Sequence, residues 1–388
     1  MSGIVLSASV RQNLLSLQST ADLLSITQNR LATGKKVNTA LDNPTNFFTA
    51  ASLDSRASDI NNLLDGIGNG VQVLQAANTG ITSLQKLVDT AKSIANQVLQ
   101  TTVGYSSKST ATSAIALGGN AANLVDGTVI KTNDVLTIAS TGGGTATNIT
   151  FGASLSLDQL NTTLAANNLS ASIDGAGKLV ITTTNDAASS SIGAIVYTNT
   201  GGGTLTFGAV VAPVADAASQ AIRSNLVSQY NNIIAQITTT AQDASFNGIN
   251  LLNGDNLKLT FNETGKSTLN ITGVTYNATG LGLNSLVAGT DFKDNNSANK
   301  ALAALSAAST SLRTEASALG SNLSIVQIRQ DFSKSLINVL QTGSSNLTLA
   351  DTNEEAANSQ ALATRQSIAV SALALANQSQ QSVLQLLR

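Results

Sequence analysis

Cysteine, histidine and tryptophan are all absent from the 388 residues, and proline occurs only twice. Without thiols there is no disulfide, no Cys-ligated zinc and no redox site. Without histidine the commonest general base and the commonest metal ligand are missing. Most familiar enzyme mechanisms are closed to such a chain, and no catalytic, cofactor or metal site is expected. Charge is also sparse, at 11% of residues with a net charge of -2. Phosphate binding requires clustered Lys and Arg, and the densest cluster is the pair Lys35-Lys36, so nucleic acid is not an expected partner. No segment approaches the roughly 20 apolar residues that span a bilayer, and no membrane partner is expected. The opening MSGIVLSASVRQNLLSLQS lacks the basic stretch and continuous apolar run of a secretory signal. That implies either a cytoplasmic protein or export by a route that reads no cleaved signal.

What is present divides the chain into helical ends around a β-rich middle. Apolar residues recur as Val10, Leu14, Leu17, Ala21, Leu24 and Leu31, the narrow seam of a coiled coil. The pattern stops at ATGKKVNTALDNP, where Gly34 suits a helix C-cap and Asn43-Pro44 an N-cap followed by proline in the first turn. A second stretch runs from Leu53 through Ile60, Ile67 and Leu74. It resumes one position out of phase through Ala77, Ile81, Leu84, Val88 and Val98. Its length far exceeds an average globular helix and points to a rod or bundle.

Beyond Gln100 the composition turns to Gly, Ser, Thr, Ala and Asn. VLTIAS, NITF, LSASI, KLVITTT, AIVYT and TLTFGAVV read as strands, DGAG as a hairpin turn and SLDQLNTTLAANN as a short helix. The repeated TGGG clusters suggest paired turns. Helical periodicity returns at Ile222, Leu226, Ile233 and Ile237. SFNGINLLNGD, with two turns, is followed by LKLTF and LNITGV, a second hairpin by pattern. The longest seam then runs from Ala298 through Leu312, Val326, Ser333 and Ile337 to Leu340. A break at QTGSSNLTLADTN precedes a last helix with Ala369, Ala372, Ala376, Ser379, Val383 and Leu386 on its seam.

The first and last helices therefore carry matching seams, and pairing them buries both. The expected fold is a mainly α rod with a β-rich outer domain. Its terminal helices pair as a coiled coil, a long helical bundle carries a β-hairpin, and an α+β module is inserted. The last helix offers few large side chains against a backbone ordering cost of roughly 1 to 2 kcal/mol per residue. Its end, QSQQSVLQLLR, places Leu384 and Leu387 beside the seam, where one partner helix leaves them uncovered. Termini loose in the monomer and ordered in an assembly are the expectation. The expected assembly surface is Val10, Leu14, Leu17, Leu24, Leu31, Ala369, Ala372, Ala376, Val383, Leu384, Leu386 and Leu387.

Three stretches then resemble bacterial flagellin, most closely the alphaproteobacterial type. They are QNRLATGKKVNTALDNPTNFFTA with LLDGIGNGVQVLQAANTGI; SFNGINLL with the hairpin and GLGL; and ALANQSQQSVLQLLR. The resemblance implies a filament subunit in three parts. Residues 1–42 and 350–388 would form a terminal coiled-coil domain, 43–100 and 216–349 a helical bundle with its hairpin, and 101–215 a variable outer domain. It also implies self-assembly as a helical homopolymer and capping and hook-associated partners. An export chaperone, the type III export apparatus and an extracellular location follow from the same resemblance. Where receptor-activating flagellins carry an Arg-rich segment, this chain has Lys86, Val88, Asp89 and Thr90, which implies weakened recognition by the vertebrate Toll-like flagellin receptor.

Competing readings are a hook-filament junction protein, built on similar terminal helices, and an enzyme in the outer domain. The closeness of RLATGKKVN and VLQLLR to flagellin argues against the first. The enzyme reading fails on the missing HExxH motif. Asp134, Asp158, Asp174 and Asp186 are scattered among turns and helix starts, where structural roles are expected. The TGGG clusters lack the helix and lysine of a phosphate loop. The many Ser and Thr residues permit O-linked glycosylation, although they also suit exposed strands and turns.

Overall fold

The structure is a computed structural model that describes residues 8–386, the side chains of 380 and 383–386 excepted. In order it contains α1 (Ala8–Thr33), α2 (Pro44–Gln100), β1 (Tyr105–Ser107), β2 (Thr110–Ala116), β3 (Val135–Ile138) and β4 (Thr147–Thr150). Next come α3 (Leu157–Ala165), β5 (Leu169–Ile173), β6 (Lys178–Thr183), β7 (Ile195–Thr198), β8 (Val214–Ala215) and α4 (Ala217–Asp243). The chain closes with β9 (Asn256–Thr260), β10 (Thr268–Thr272), α5 (Asn295–Thr348) and α6 (Thr352–Leu386). Long helices at both ends thus flank a middle of small antiparallel sheets, as the patterning implied, and the β-rich insert lies directly between α2 and α4. The structure resolves into two compact units, with α2 and α5 contributing to both.

The first unit takes the chain up to Asn69, the hairpin tip Leu259–Leu269 and everything from Ile325 onward. Gly34, at φ +69°, ends α1 in the left-handed conformation that glycine adopts without steric cost. Asn43 caps α2 by accepting the Asn46 amide at 3.0 Å, and Pro44 follows at the first helical position. The linkers on either side of the terminal helices meet. Lys35 pairs antiparallel with Leu349, Lys36 N donates to Thr348 O at 2.7 Å, and Ala350 N donates to Gly34 O at 3.0 Å. Ala57 and Ile60 of α2 pack with Ile337 and Leu340 of α5, and Leu53 lies against the α5 glycine Gly343. The hairpin tip is held by Arg56, whose Nε is 2.7 Å from Glu263 Oε1, and by the Arg329 guanidinium over the Phe261 ring.

One expectation fails here. QTGSSNLT, read as a break, is helical to Thr348, and only Leu349–Asp351 interrupts the chain. Ser344 and Thr348 are buried on the same face as Ile337 and Leu340, and Thr348 Oγ1 donates back to Ser344 O at 2.8 Å. The residues that suggested a loop by composition continue the packed face of α5 instead.

The second unit holds the rest of α2, α4, α5 and the whole β insert. Ile81, Leu84, Val88, Ala95 and Val98 of α2 are buried, as are Leu226, Val227, Tyr230, Ile234 and Ile237 of α4 and Leu305, Leu312 and Leu319 of α5. Gln85 Nε2 donates to Ser309 Oγ at 2.5 Å, tying α2 to α5. A β-carbon at Gly80 would stand 2.6 Å from the Ala244 side chain, so glycine there permits the close approach. Ile222, expected on the α4 seam, is exposed, and Arg223 takes the interior position.

In the insert, two three-stranded sheets, ordered β2-β6-β5 and β4-β3-β7, enclose a core of Leu136, Ile138, Phe151, Leu160, Leu164, Leu179 and Ile181. The capping box at Ser156 and Gln159 starts α3, and the Asp174–Gly177 turn joins β5 to β6. β1 and β2 lie in YSSKSTATSAIA, whose small residues carry no apolar alternation. TLTFGAVV, by contrast, forms only isolated bridges, at Ser113–Phe207 and Thr110–Val211.

The TGGG clusters do not pair with each other. Each wraps a buried polar side chain. Thr141 N donates to Asn167 Oδ1 at 2.7 Å, and Asn167 Nδ2 donates to Ala139 O at 3.1 Å. A β-carbon at Gly144 would lie 2.7 Å from the Asn167 backbone. In the second cluster Gly201 N donates to Asp134 Oδ1 at 2.7 Å, while Lys131 N and the Tyr197 hydroxyl donate to Oδ2 at 2.8 and 2.5 Å.

Burial alone pushes the Asp134 carboxyl up. The Tyr197 hydroxyl and the amides of Lys131, Gly201 and Gly203 outweigh that and hold it below its ordinary 3.8. The stability that Asp134 contributes is therefore fully present above about pH 4 and is lost only as pH falls through the lower folded value. Asp134→Asn turns an amide group toward existing donors, and a loss of about 3 kcal/mol is expected in urea unfolding at pH 7, shrinking as the pH drops below 4. An equal loss at pH 7 and pH 2 would contradict this account.

Candidate functional site

Among the described residues no group of His, Cys, Asp or Glu could hold a metal ion, and no helix is long and apolar enough to cross a membrane. The four carboxylates singled out in the insert occupy separate places: Asp134 beneath a glycine turn, Asp158 in the first turn of α3, Asp174 in a hairpin and Asp186 in a single 3-10 turn. They form no cluster.

The surface of the first unit carries the chemistry instead. α1 and α6 pack against each other, and Arg30 Nη1 lies 3.2 Å from Glu355 Oε1. The half-buried stripe on α6 is Ser359, Leu362, Gln366, Ala369, Leu373 and Ala376, steps of three and four that face α1. The covered positions of α1 are Val10, Asn13, Leu17, Thr20, Ala21, Leu24 and Thr27. Val10, Leu17, Leu24, Ala369 and Ala376 thus lie on the covered side. Leu14 and Leu31 are partly open, at 37% and 40% exposure, and Ala372 is exposed. Val383, Leu384, Leu386 and Leu387 fall outside the residues whose side chains are described.

Polar Asn13, Thr20, Thr27 and Gln366 occupy much of this seam, while large apolar side chains point away from it. Leu15 (66% exposed), Leu23 and Ile26 are open on α1, and Ile368 and Leu375 on α6. Ile368 and Leu375 are seven positions apart, which puts them on one face.

A second open stripe, missed by the sequence reading, runs along α5. Ile325, Ile328 (66% exposed), Phe332 (58%) and Val339 follow steps of three, four and seven. The buried seam of the same helix, Val326, Ser333, Ile337 and Leu340, is offset by one residue. α5 therefore carries two coiled-coil faces, and its own chain covers one. The signal stands in the sequence as Ile325-x2-Ile328-x3-Phe332, one residue out of phase with the longer apolar register that masks it.

In the segment likened to a receptor-binding stretch, Lys86, Asp89 and Thr90 are exposed on α2, whereas Val88 is fully buried in the second unit. Its side chain serves the core.

The profile described as "Bacterial flagellin N-terminal helical region" matches residues 5–130, and "Bacterial flagellin C-terminal helical region" matches 302–387. The chain is 33% identical over 165 residues to flagellin FljM of Caulobacter vibrioides, covering 42% of this chain and 59% of that protein. It is 30% identical over 182 residues to a flagellin of Brucella melitensis, covering 44% and 64%. Flagellin A of Rhizobium meliloti matches end to end at 24% identity. The aligned stretch thus spans less than two thirds of the Caulobacter and Brucella proteins.

Proposed function

Because the chain belongs to the bacterial flagellin family, we propose that it is a structural subunit that polymerises with copies of itself into the extracellular flagellar filament that drives swimming. The observation that carries this reading is the second apolar face of α5, together with the open leucines and isoleucines of α1 and α6. A patch of this kind on an isolated chain marks an interaction surface, and repeated helical seams are suited to helices of identical neighbours.

On this proposal residues 1–42 and 350–388 form the inner coiled-coil domain, 43–100 and 216–349 the surrounding helical domain, and 101–215 the variable outer domain. Export as an unfolded chain through the type III apparatus, a chaperone, and capping and hook-associated proteins belong to the same proposal. So does the ordering of the termini on assembly, with Val383, Leu384, Leu386 and Leu387 in the contact. The relatives above are named as flagellins, which favours a filament subunit over a junction protein. No catalysis is part of the role.

The test is polymerisation of the purified chain, induced by salt or by sheared filament seeds and followed by electron microscopy. The full chain should form filaments and a chain lacking residues 383–388 should not. A full chain that stays monomeric with seeds, or a truncated one that polymerises equally well, would overturn the proposal. Val88 is turned into the core and presents no cation on the surface of α2, which supports weak recognition by the vertebrate flagellin receptor. A reporter assay should give at least about tenfold lower potency than an Arg-bearing flagellin, and equal potency would refute this.

A further inference from the structure

Asparagine followed by glycine occurs three times, at Asn69-Gly70, Asn247-Gly248 and Asn253-Gly254. Glycine has no Cβ to hinder approach, so its amide nitrogen can reach the carbonyl carbon of the preceding side chain more readily than that of any other residue. All three asparagines are exposed, and by sequence and accessibility they are equivalent.

Their backbones differ. Asn69 and Gly70 lie within α2, where the Gly70 amide is committed to the helix and held away from the side chain before it. Asn253-Gly254 sits in a turn strapped on both sides. Asn253 N and Asp255 N both donate to Asn250 O at 3.1 Å, and Val274 N donates to Leu251 O at 2.8 Å. Asn247 and Gly248 are the two central residues of a tight turn closed by reciprocal Phe246–Ile249 hydrogen bonds of 3.0 Å. Their φ angles, +50° and +80°, are those of a type I′ turn. Neither the Gly248 amide nor the Asn247 side chain has a hydrogen-bond partner among the described residues. The space beside Gly248 is open, with nothing within 4 Å of a β-carbon built there.

We propose that Asn247 is a site of spontaneous covalent modification in the folded protein. The Gly248 nitrogen attacks Asn247 Cγ, forming a new C–N bond, and the Cγ–Nδ2 bond breaks. The side-chain nitrogen leaves as ammonia, carrying the proton from the Gly248 amide. Water then opens the cyclic imide at either carbonyl, giving aspartate or isoaspartate. No oxidant, reductant or enzyme is required. The aspartate product adds a negative charge at an exposed turn. Isoaspartate also lengthens the backbone between Phe246 and Ile249, whose pairing closes that turn. The modified site stands close to Asn250, which caps the end of α4 through Ala241 O at 2.8 Å and Gln242 O at 2.9 Å.

The test is incubation of the intact native chain at mildly alkaline pH, then peptide mapping by mass spectrometry that distinguishes asparagine, aspartate and isoaspartate at the three sites. A parallel sample in urea serves as the unfolded reference. Loss of amide is expected first at Asn247, later at Asn253, and not above background at Asn69, with the three converging in urea. Loss occurring first at Asn69 or Asn253, or an Asn247 that keeps its amide until the protein unfolds, would overturn the assignment.

Discussion

Arg223→Ala is expected to lower the stability of the second unit by about 3 to 5 kcal/mol, the range for a buried charge network that loses one partner. Arg223 is 2% exposed. Its Nε donates to Thr102 O at 2.9 Å, Nη1 to Phe292 O at 2.8 Å, and Nη2 to Val98 O at 3.1 Å and Thr101 O at 3.2 Å. Val98 lies in the last turn of α2 and Thr101 directly follows it, where the last carbonyls of a helix have no backbone partner within it and carry the negative end of its dipole. Arg223 therefore acts as an internal C-cap, reaching from α4 to the ends of two other segments. Burial pushes the guanidinium pKa down, and the nearby Asp294 partly opposes this.

Removing the side chain takes this donor from the carbonyls of Thr101, Thr102 and Phe292, each loss costing about 1 to 3 kcal/mol before relaxation, while Val98 O keeps the Thr101 hydroxyl at 2.8 Å. Arg223→Lys keeps the charge but loses the planar fork, so an intermediate loss is expected. Urea unfolding followed by far-UV circular dichroism and tyrosine fluorescence measures both. An alanine variant within 1 kcal/mol of the parent would show that the carbonyls find water, and the capping account would fail.

Arg223 also marks where the sequence stopped being legible. Periodicity puts Ile222 on the α4 seam because an apolar residue is the default occupant of such a position. Interior arginine is rare, and its partners are main-chain carbonyls that leave no trace in composition. Helix ends with side-chain signatures were legible for the opposite reason. Asn43-Pro44 encodes a local hydrogen bond within a few residues. The insert divides in the same way. β5, β6 and their turn follow from alternation and DGAG, whereas β2 buries Ala111 and Ser113 and offers no apolar pattern to read. The pairing of α1 with α6 was legible from periodicity, but the register within it was not. Polar Asn13, Thr20 and Gln366 take covered positions while larger apolar side chains stay outside. A protein stabilised only as a monomer has little reason for that arrangement; one covered by neighbours does.

The double substitution Ile328→Lys with Phe332→Lys should therefore abolish polymerisation while leaving the single chain folded. Both side chains stand more than half open in the isolated protein. Exposed substitutions away from packed features change stability by about 0.5 kcal/mol or less. The melting curve should accordingly match that of the parent. In an assembly the same residues would enter a seam, where full burial of each contributes roughly 1.5 to 3 kcal/mol. Losing both amounts to about 3 to 6 kcal/mol per contact, which raises the critical concentration by two to four orders of magnitude. Two lysines from each neighbouring subunit would add like-charge repulsion. Gln327→Lys, exposed on α5 but off the stripe, supplies the control for added charge and should polymerise normally. Sedimentation of seeded samples across a concentration series separates the outcomes. If the double variant assembles at the parent's critical concentration, the second face of α5 is not an assembly seam. If Gln327→Lys fails equally, the effect is one of net charge and not of the apolar register.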